Sequence, residues 1–381
     1  DDETSALYVI AIGGGEAEEI LEMPFALTTP KWLPGGKQIV VGTSVIPELA
    51  GTLSKKDIAA MKKEAKRRKD SKMTARATED RLYRYFDHYL TEKLATRLLR
   101  VDVSTKEAID LTPKFDRLFA IDGELRYEVS PDGSQFALGR RDGAAEIWDS
   151  ASAKAVKALP PAKEDADTRS VAFSPDGRML IGAGMFDDDV FVWNIEAGKL
   201  QRLYKMRNGP AGARYAPSVA VSRDRTLIAA GLGQRATSSG DLGAEHGGIL
   251  LWDADTGKLR ATLRNQRGAI TALTFSANDK WIVSGSLDGT IQYWDRATGK
   301  PLATAVPGPN GRWIVMTEAG FYAGSEGSGD AVNVVRGTRD APGSAVAKIL
   351  ARPDLVEMLF KGDTAKYQDA VRKLDLSPVA P

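Results

Sequence analysis

Four tryptophans recur along the chain, each followed by Asp or Asn: Trp148-Asp149, Trp193-Asn194, Trp252-Asp253 and Trp294-Asp295. The intervals between them are 45, 59 and 42 residues. A turn sequence precedes each tryptophan: Ser130-Pro-Asp-Gly133, Ser174-Pro-Asp-Gly177, Ser222-Arg-Asp-Arg225 and Ser276-Ala-Asn-Asp279. From turn to tryptophan the distances are 18, 19, 30 and 18 residues. The one long interval holds the polar, glycine-rich stretch GQRATSSGDLGAEHGG at 233–248, and removing about a dozen of its residues restores the period. A repeat of this length restricts the chain to a stack of similar supersecondary units.

Within a unit the pattern alternates with period two. Val171-Ala-Phe173 leads into a Pro-Asp-Gly turn, Met179-Leu-Ile181 follows, a third strand ends in the tryptophan, and a Thr-Gly-Lys or Gly-Lys hairpin opens a fourth. A four-stranded sheet of this size cannot bury both faces alone and must stack on its neighbours, which predicts an all-β fold, a β-propeller. Residues 140–305 resemble WD40 repeats, above all in VAFSPDGRMLIGAG, GILLWDADTGKL and WIVSGSLDGTIQYWDRATGKPL. The resemblance assigns structural blade roles to Trp148, Trp193, Trp252 and Trp294, with Asp142 and Asp288 in their turns. The Gly-His dipeptide of that family is absent from every unit, so its Asp-His-Ser/Thr-Trp hydrogen-bond tetrad is expected to be incomplete. GRWIVMTEAGFYAG (311–324) and the tail ARPDLVEMLF resemble the ends of bacterial WD40 proteins that accompany caspase-like domains.

Residues 1–140 read differently. LYVIAIGGGEAEEI (7–20), TTPKWLPGGKQIVVG (28–42), residues 80–113 and DGELRYEVSPDGSQFAL (122–138) resemble the propeller of S9 serine peptidases, the prolyl oligopeptidase and acylaminoacyl peptidase group. The two resemblances meet near residues 138–145, inside one blade. An engineered chimera of propeller fragments is the expected origin, with natural recombination as the alternative.

Blades are expected at about 24–113, 114–160, 168–206, 214–264 and 268–306. Joining 7–22 to 311–324 would supply a sixth from the two ends of the chain, with Trp313, Val315 and Phe321 turned inward beside Leu7, Val9 and Ala11. Six blades are therefore expected, or seven if residues 24–113 hold two. The single propeller would span 1–340 and a helical tail 341–381. In that tail Leu355, Val356, Leu359 and Phe360 share one helical face, Gly362 stops the helix, and Asp363 caps a second bearing Tyr367, Ala370, Val371 and Leu374. Docking of the tail on the propeller is expected.

Residues 54–76 carry 10 Lys/Arg and 3 Asp/Glu, a net +7, whereas the other residues sum to −6. Ser54 and Asp57 have the spacing of a capping box, so a helical insertion is expected here, reaching into solvent. With no aromatic residue in 54–76 there is no stacking platform for single strands, and nucleic acid is not the expected partner.

The chain's chemistry-bearing residues are few. It has no cysteine and two histidines, His88 and His246, which removes disulfides, thiol catalysis and three-histidine metal sites. An S9 hydrolase needs a serine elbow of the form GxSxG, and none occurs; GSLDG (285–289) reads as a blade turn. GGGE (13–16) precedes a strand, not the helix a phosphate loop requires. Asp187, Asp188 and Asp189 cluster without the ligand spacing of a calcium loop. No catalytic, cofactor or metal residues are assigned. No apolar run approaches the roughly 20 residues that span a bilayer, and a sequence opening at Asp1 without a signal peptide is expected of a mature or excised form, or of one whose targeting was never encoded. The expected molecule is a soluble monomer of bacterial type, cytoplasmic or periplasmic, that offers a propeller face to a protein or peptide and has no enzymatic activity. A detached gating domain of an S9 peptidase is the alternative.

Overall fold

A computed structural model describes residues 4–9, 18–50, 53–70, 84–85, 88–89, 94–113, 127–140, 142–152, 154–161, 168, 170–184, 189–206, 215–233, 247–308, 312–325, 334–336, 339–341 and 349–373. They divide into two compact units, Asp1–Pro160 and Pro161–Pro381.

The first unit holds two four-stranded antiparallel meanders, the first two blades. One is Thr28–Trp32, Gln38–Val45, Ala95–Asp102 and Ala108–Asp110; the other is Tyr127–Val129, Gln135–Gly139, Ala145–Asp149 and Lys154–Leu159. Leu33, Val40, Leu98 and Leu111 of the first pack against Tyr127, Phe136 and Leu138 of the second. The described residues of 24–113 thus form one blade, not two.

The helix Lys55–Asp70 begins where the sequence places it. Ser54 N–H donates to Asp57 Oδ2 at 3.0 Å and Asp57 N–H to Ser54 Oγ at 3.2 Å, a reciprocal cap. It is not a solvated excursion, however. Met61 is fully buried in a cluster with Val45, Ile46, Leu53, Leu99 and Val101, and Lys62 pairs with Glu22 of the terminal ladder. Ile58, three positions earlier, packs against the same cluster, so a single turn anchors a helix of mostly charged residues and leaves a weak sequence signal. Residues 71–76 of the insertion lie outside the described residues.

The second unit holds three blades. They are Ser170–Phe173 to Lys199–Lys205, Tyr215–Val221 to Leu259–Leu263, and Ile270–Phe275 to Pro301–Pro307. Ile181, Val190 and Val192 of the third blade pack against Val219, Ile228 and Ala230 of the fourth. Ala229, Leu251 and Leu263 of the fourth meet Phe275, Ile282 and Trp294 of the fifth. One irregularity recurs in four blades. At Trp148, Trp193, Trp252 and Trp294 the register with the fourth strand slips, leaving Val156, Gln201, Arg260 and Leu302 as the extra residues. Such bulges increase local strand twist, and here one lies opposite each tryptophan position.

Among the described residues there are five blades of propeller type, and the sixth blade is not formed. Trp313–Thr317 pairs with the fifth blade's outer strand, Ala303 opposite Thr317 and Pro307 opposite Trp313, and Tyr322–Gly324 follows, making that sheet six-stranded. Ser5–Val9 and Glu18–Met23 pair with one another as a two-stranded ladder, with Leu7, Val9, Leu21 and Met23 in the first blade's cluster. Local pairing wins because closing a five-residue loop costs far less entropy than joining segments about 300 residues apart. Trp313 is accordingly 47% exposed, not turned inward; only Phe321 of the expected trio is fully buried. Ala11 lies outside the described residues, as does the GGGE turn.

The tail docks on this extended sheet. Leu355 of the helix Pro353–Phe360 joins Phe321 and Tyr322, with Tyr367, Ala370 and Val371 of Thr364–Arg372 packed alongside. Phe360 meets Trp281 and Tyr293 edge-on, at 5.7 and 4.7 Å between ring centroids. Gly362 ends the first helix with φ +78°. Asp363 stands at the second helix's N-cap without a side-chain cap bond and pairs instead with Lys366. Leu374 lies outside the described residues.

Candidate interaction surface

In an antiparallel meander the first and third hairpins of each blade share one end. In the second unit that end is built on the repeated serine turns. Ser174 Oγ accepts from Met179 N–H and donates to Asp176; Ser222 does the same with Leu227 and Asp224; Ser276 with Trp281 and Asn278. Ser130 repeats the geometry in the first unit. The fourth turn residue has a left-handed backbone throughout: Gly133 at +73°, Gly177 at +68°, Arg225 at +61° and Asp279 at +58°. Glycine adopts this conformation freely, whereas an L side chain costs about 1–2 kcal/mol. Two of the four turns thus carry strain to hold a charged side chain.

Both charges bridge blades. Arg225 pairs with Asp176 of the third blade. Asp279 accepts from the backbone N–H groups of Arg223 and Asp224 at 3.0 and 2.8 Å. Arg296 of the fifth blade donates to Asp224 at 2.5 Å and to Thr226 at 2.7 Å, and lies 3.4 Å from Asp279. Burial acts to raise the Asp224 carboxyl's pKa, but hydrogen bonds from Arg296, Thr226 and Ser222 outweigh it and hold it well below the usual range. These contacts tie the three turns into one preformed surface.

Between the third and fourth blades this end opens into a cleft of about 330 Å³. Met179, Val192 and Ile228 supply apolar lining; Arg202, Tyr204, Asp224, Arg225 and Thr226 supply polar groups. Arg202 Nη1 donates to the carbonyls of Ala254, at 3.2 Å, and Asp255, and the Tyr204 hydroxyl donates to Ala254 at 2.8 Å. Burial raises the Tyr204 hydroxyl's pKa against the opposing pull of Arg202.

The blade residues fall as follows. Trp252 and Trp294 are buried between blades, Trp193 is buried beside Phe191, and Trp148 is half-buried and stacks on Phe136. Asp142 caps its turn at Ala144 N–H and pairs with Arg140. Asp288 accepts from Thr290 N–H and, at 2.7 Å, from Arg267 N–H. Trp313 sits on an exposed outer strand.

The missing histidine has a substitute in one blade. Trp294 Nε1 donates to Ser284 Oγ at 2.8 Å, Ser284 donates to Gln266 Oε1 at 2.5 Å, and Gln266 Nε2 donates to Thr290 Oγ1 at 3.0 Å. Thr290 in turn donates to Asp288 at 2.6 Å. A glutamine amide accepts on one side and donates on the other, as one imidazole tautomer does. The corresponding positions of the other tryptophan-bearing blades hold Leu138, Gly182 and Ala230, so the chain of bonds forms once. Gln266, Arg202, Arg225 and Arg296 were not singled out in the sequence; only the arginine in a glycine's place of a repeated turn marks one of them.

Asp187, Asp188 and His246 lie outside the described residues, as does the side chain of His88; Asp189 is buried and pairs with Lys205. Among the described residues no cluster of His, Cys, Asp and Glu could hold a metal ion. Residues 285–289 form the expected turn, Gly289 N–H donating to the Ser286 carbonyl.

The WD domain, G-beta repeat family model matches residues 161–194 and 257–295. The chain carries WD40 repeats. It is 29% identical over 194 residues to the nuclear distribution protein nudF of Emericella nidulans, covering 50% of this chain and 43% of that one. It is 34% identical over 127 residues to the small ribosomal subunit protein RACK1y of rice, covering 33% and 32%. Against the periodic tryptophan protein 2 homolog of Caenorhabditis elegans it is 29% identical over 167 residues, covering 44% and 16%. The chain spans less than half the length of these curated relatives, and they are eukaryotic, unlike the bacterial type expected. The matched WD40 segments lie within 161–295, so the peptidase-type resemblance of 1–140 and the chimeric origin have no support beyond the sequence. No described helix is long and apolar enough to cross a membrane.

Proposed function

We propose that the protein is a non-enzymatic WD40 scaffold that presents a rigid propeller surface to another protein or a peptide, acting as a monomer. The observation that carries this reading is the locked turn end of the second unit, where Arg225, Arg296 and Asp279 bind neighbouring blades into one surface. Rigid elements that fix a surface in advance lower the ordering cost of binding. The relatives' names are in keeping: a ribosomal subunit protein is by name part of an assembly. No described feature favours the detached peptidase gating domain.

A random displayed peptide library selected on the immobilised protein tests the reading. Enrichment over a heat-denatured control, with binding competed by soluble protein, is expected. No enrichment, or stoichiometric labelling by a serine-reactive fluorophosphonate with ester turnover, would overturn it.

A further inference from the structure

We infer that the cleft between the third and fourth blades binds an acidic peptide segment, a carboxylate side chain lying between Arg202 and Arg225 with an apolar neighbour on Met179, Val192 and Ile228. The inference rests on the scaffold reading and names its partner's chemistry.

The two guanidinium groups line the same opening and are each pinned by one nitrogen. Arg202 is held at Nη1 by two backbone carbonyls, and Arg225 at Nη1 by Asp176. Arg202 also touches the Tyr204 hydroxyl beside it, which still leaves N–H donors on each guanidinium. A guanidinium offers five donors in a flat fork matched to a carboxylate, and pinning one nitrogen orients the others.

Two carboxylates also line the cleft, and one is already used. Asp224 accepts from Arg296, Thr226 and Ser222, which spends its oxygens within the protein. Asp255 is exposed at the rim. The volume of about 330 Å³ lies at the low end for ligand pockets, enough for one or two side chains and too small for a folded element.

The backbone at Arg225 adds a separate indication. Sister turns place Gly133 and Gly177 at this left-handed position, and Arg225 holds it at +61° against its own preference. Strained residues that the surrounding structure maintains concentrate at binding sites. Its exposed ion pair with Asp176 is weak compensation, since such pairs contribute little.

The probe is fluorescein-Leu-Glu-Glu-Leu-amide, with fluorescein-Leu-Gln-Gln-Leu-amide as its neutral isostere, read by anisotropy on the full chain. The acidic peptide is expected to bind at least about tenfold tighter, the equivalent of roughly 1.4 kcal/mol. Arg225→Gly and Arg202→Gln should each remove that preference. Arg225→Gly should leave the melting temperature unchanged or higher, because glycine suits the turn. Arg225→Gln, which keeps side-chain bulk, guards against a misfolded variant. Equal affinity for the two peptides, no binding of the acidic one, or a preference that survives both arginine substitutions would overturn the site. If library-selected peptides bind the protein but ignore Arg225→Gly, the scaffold reading stands and this cleft is not its surface.

Discussion

Trp294 donates its indole N–H to the Ser284 hydroxyl at 2.8 Å, and the bond distinguishes the fifth blade from the others. Ser284 is fully buried and donates its hydroxyl hydrogen bond to Gln266 Oε1, so both ends of the chain of bonds depend on it. Ser284→Ala strands the Trp294 N–H and the Gln266 carbonyl. The expected loss is about 1–3 kcal/mol, read by denaturant unfolding. Gln266→His offers the same donor and acceptor on a ring and should unfold within about 1 kcal/mol of the parent; a loss as large as that of Ser284→Ala would show that the amide's own geometry is required.

Trp294 and Trp313 lie nineteen positions apart and should respond in opposite ways. Trp294 is 1% exposed, so Trp294→Ala should cost about 3–5 kcal/mol. Trp313 is 47% exposed on the added outer strand, so Trp313→Ala should cost under about 1 kcal/mol. Comparable losses would place Trp313 in a buried interface after all.

Met61 decides whether the basic helix is structural. Met61→Ala removes a fully buried side chain and should cost about 2–5 kcal/mol, whereas Lys63→Ala on the same helix's exposed face should stay within about 0.5 kcal/mol. Thermal melts of both variants separate a docked helix from a free one.

Repetition made much of this fold legible. Four turn sequences and four tryptophans marked four of the five blades, because a hairpin needs its turn residues at a fixed offset. What the repeat could not show was where irregular strands pair. Trp313-Ile-Val-Met316 reads equally well as a new blade or as an added edge strand, and only the short loop before it favours the latter. The cleft was hidden for a different reason. Arg202 and Arg225 lie in different blades and meet only when the sheets stack. The one local sign, an arginine where two sister turns have glycine, is a backbone feature that hydrophobic patterning does not report. Met61 carried little signal because it and Ile58 anchor one turn only, too short a stretch to show periodicity.

Stability should fall in acid through the turn carboxylates. The folded pKa of Asp224 is depressed, so its contribution is fully present above the unfolded value of ~3.9 and is lost as pH falls below that. Melting temperature is expected to drop below about pH 4 and less steeply in Asp224→Asn, which has no such carboxyl to protonate. Identical pH profiles for parent and variant would remove Asp224 from the acid transition.

Amide hydrogen exchange on the ligand-free protein tests the preformed turn surface most directly. The N–H groups of Met179, Leu227 and Trp281 donate to the turn serines, and those of Arg223 and Asp224 to Asp279. All five are expected to exchange far more slowly than in an unstructured peptide, with no partner present. Exchange at the unstructured rate at Arg223, Asp224 and Leu227 would contradict it, since the surface would then form only on binding.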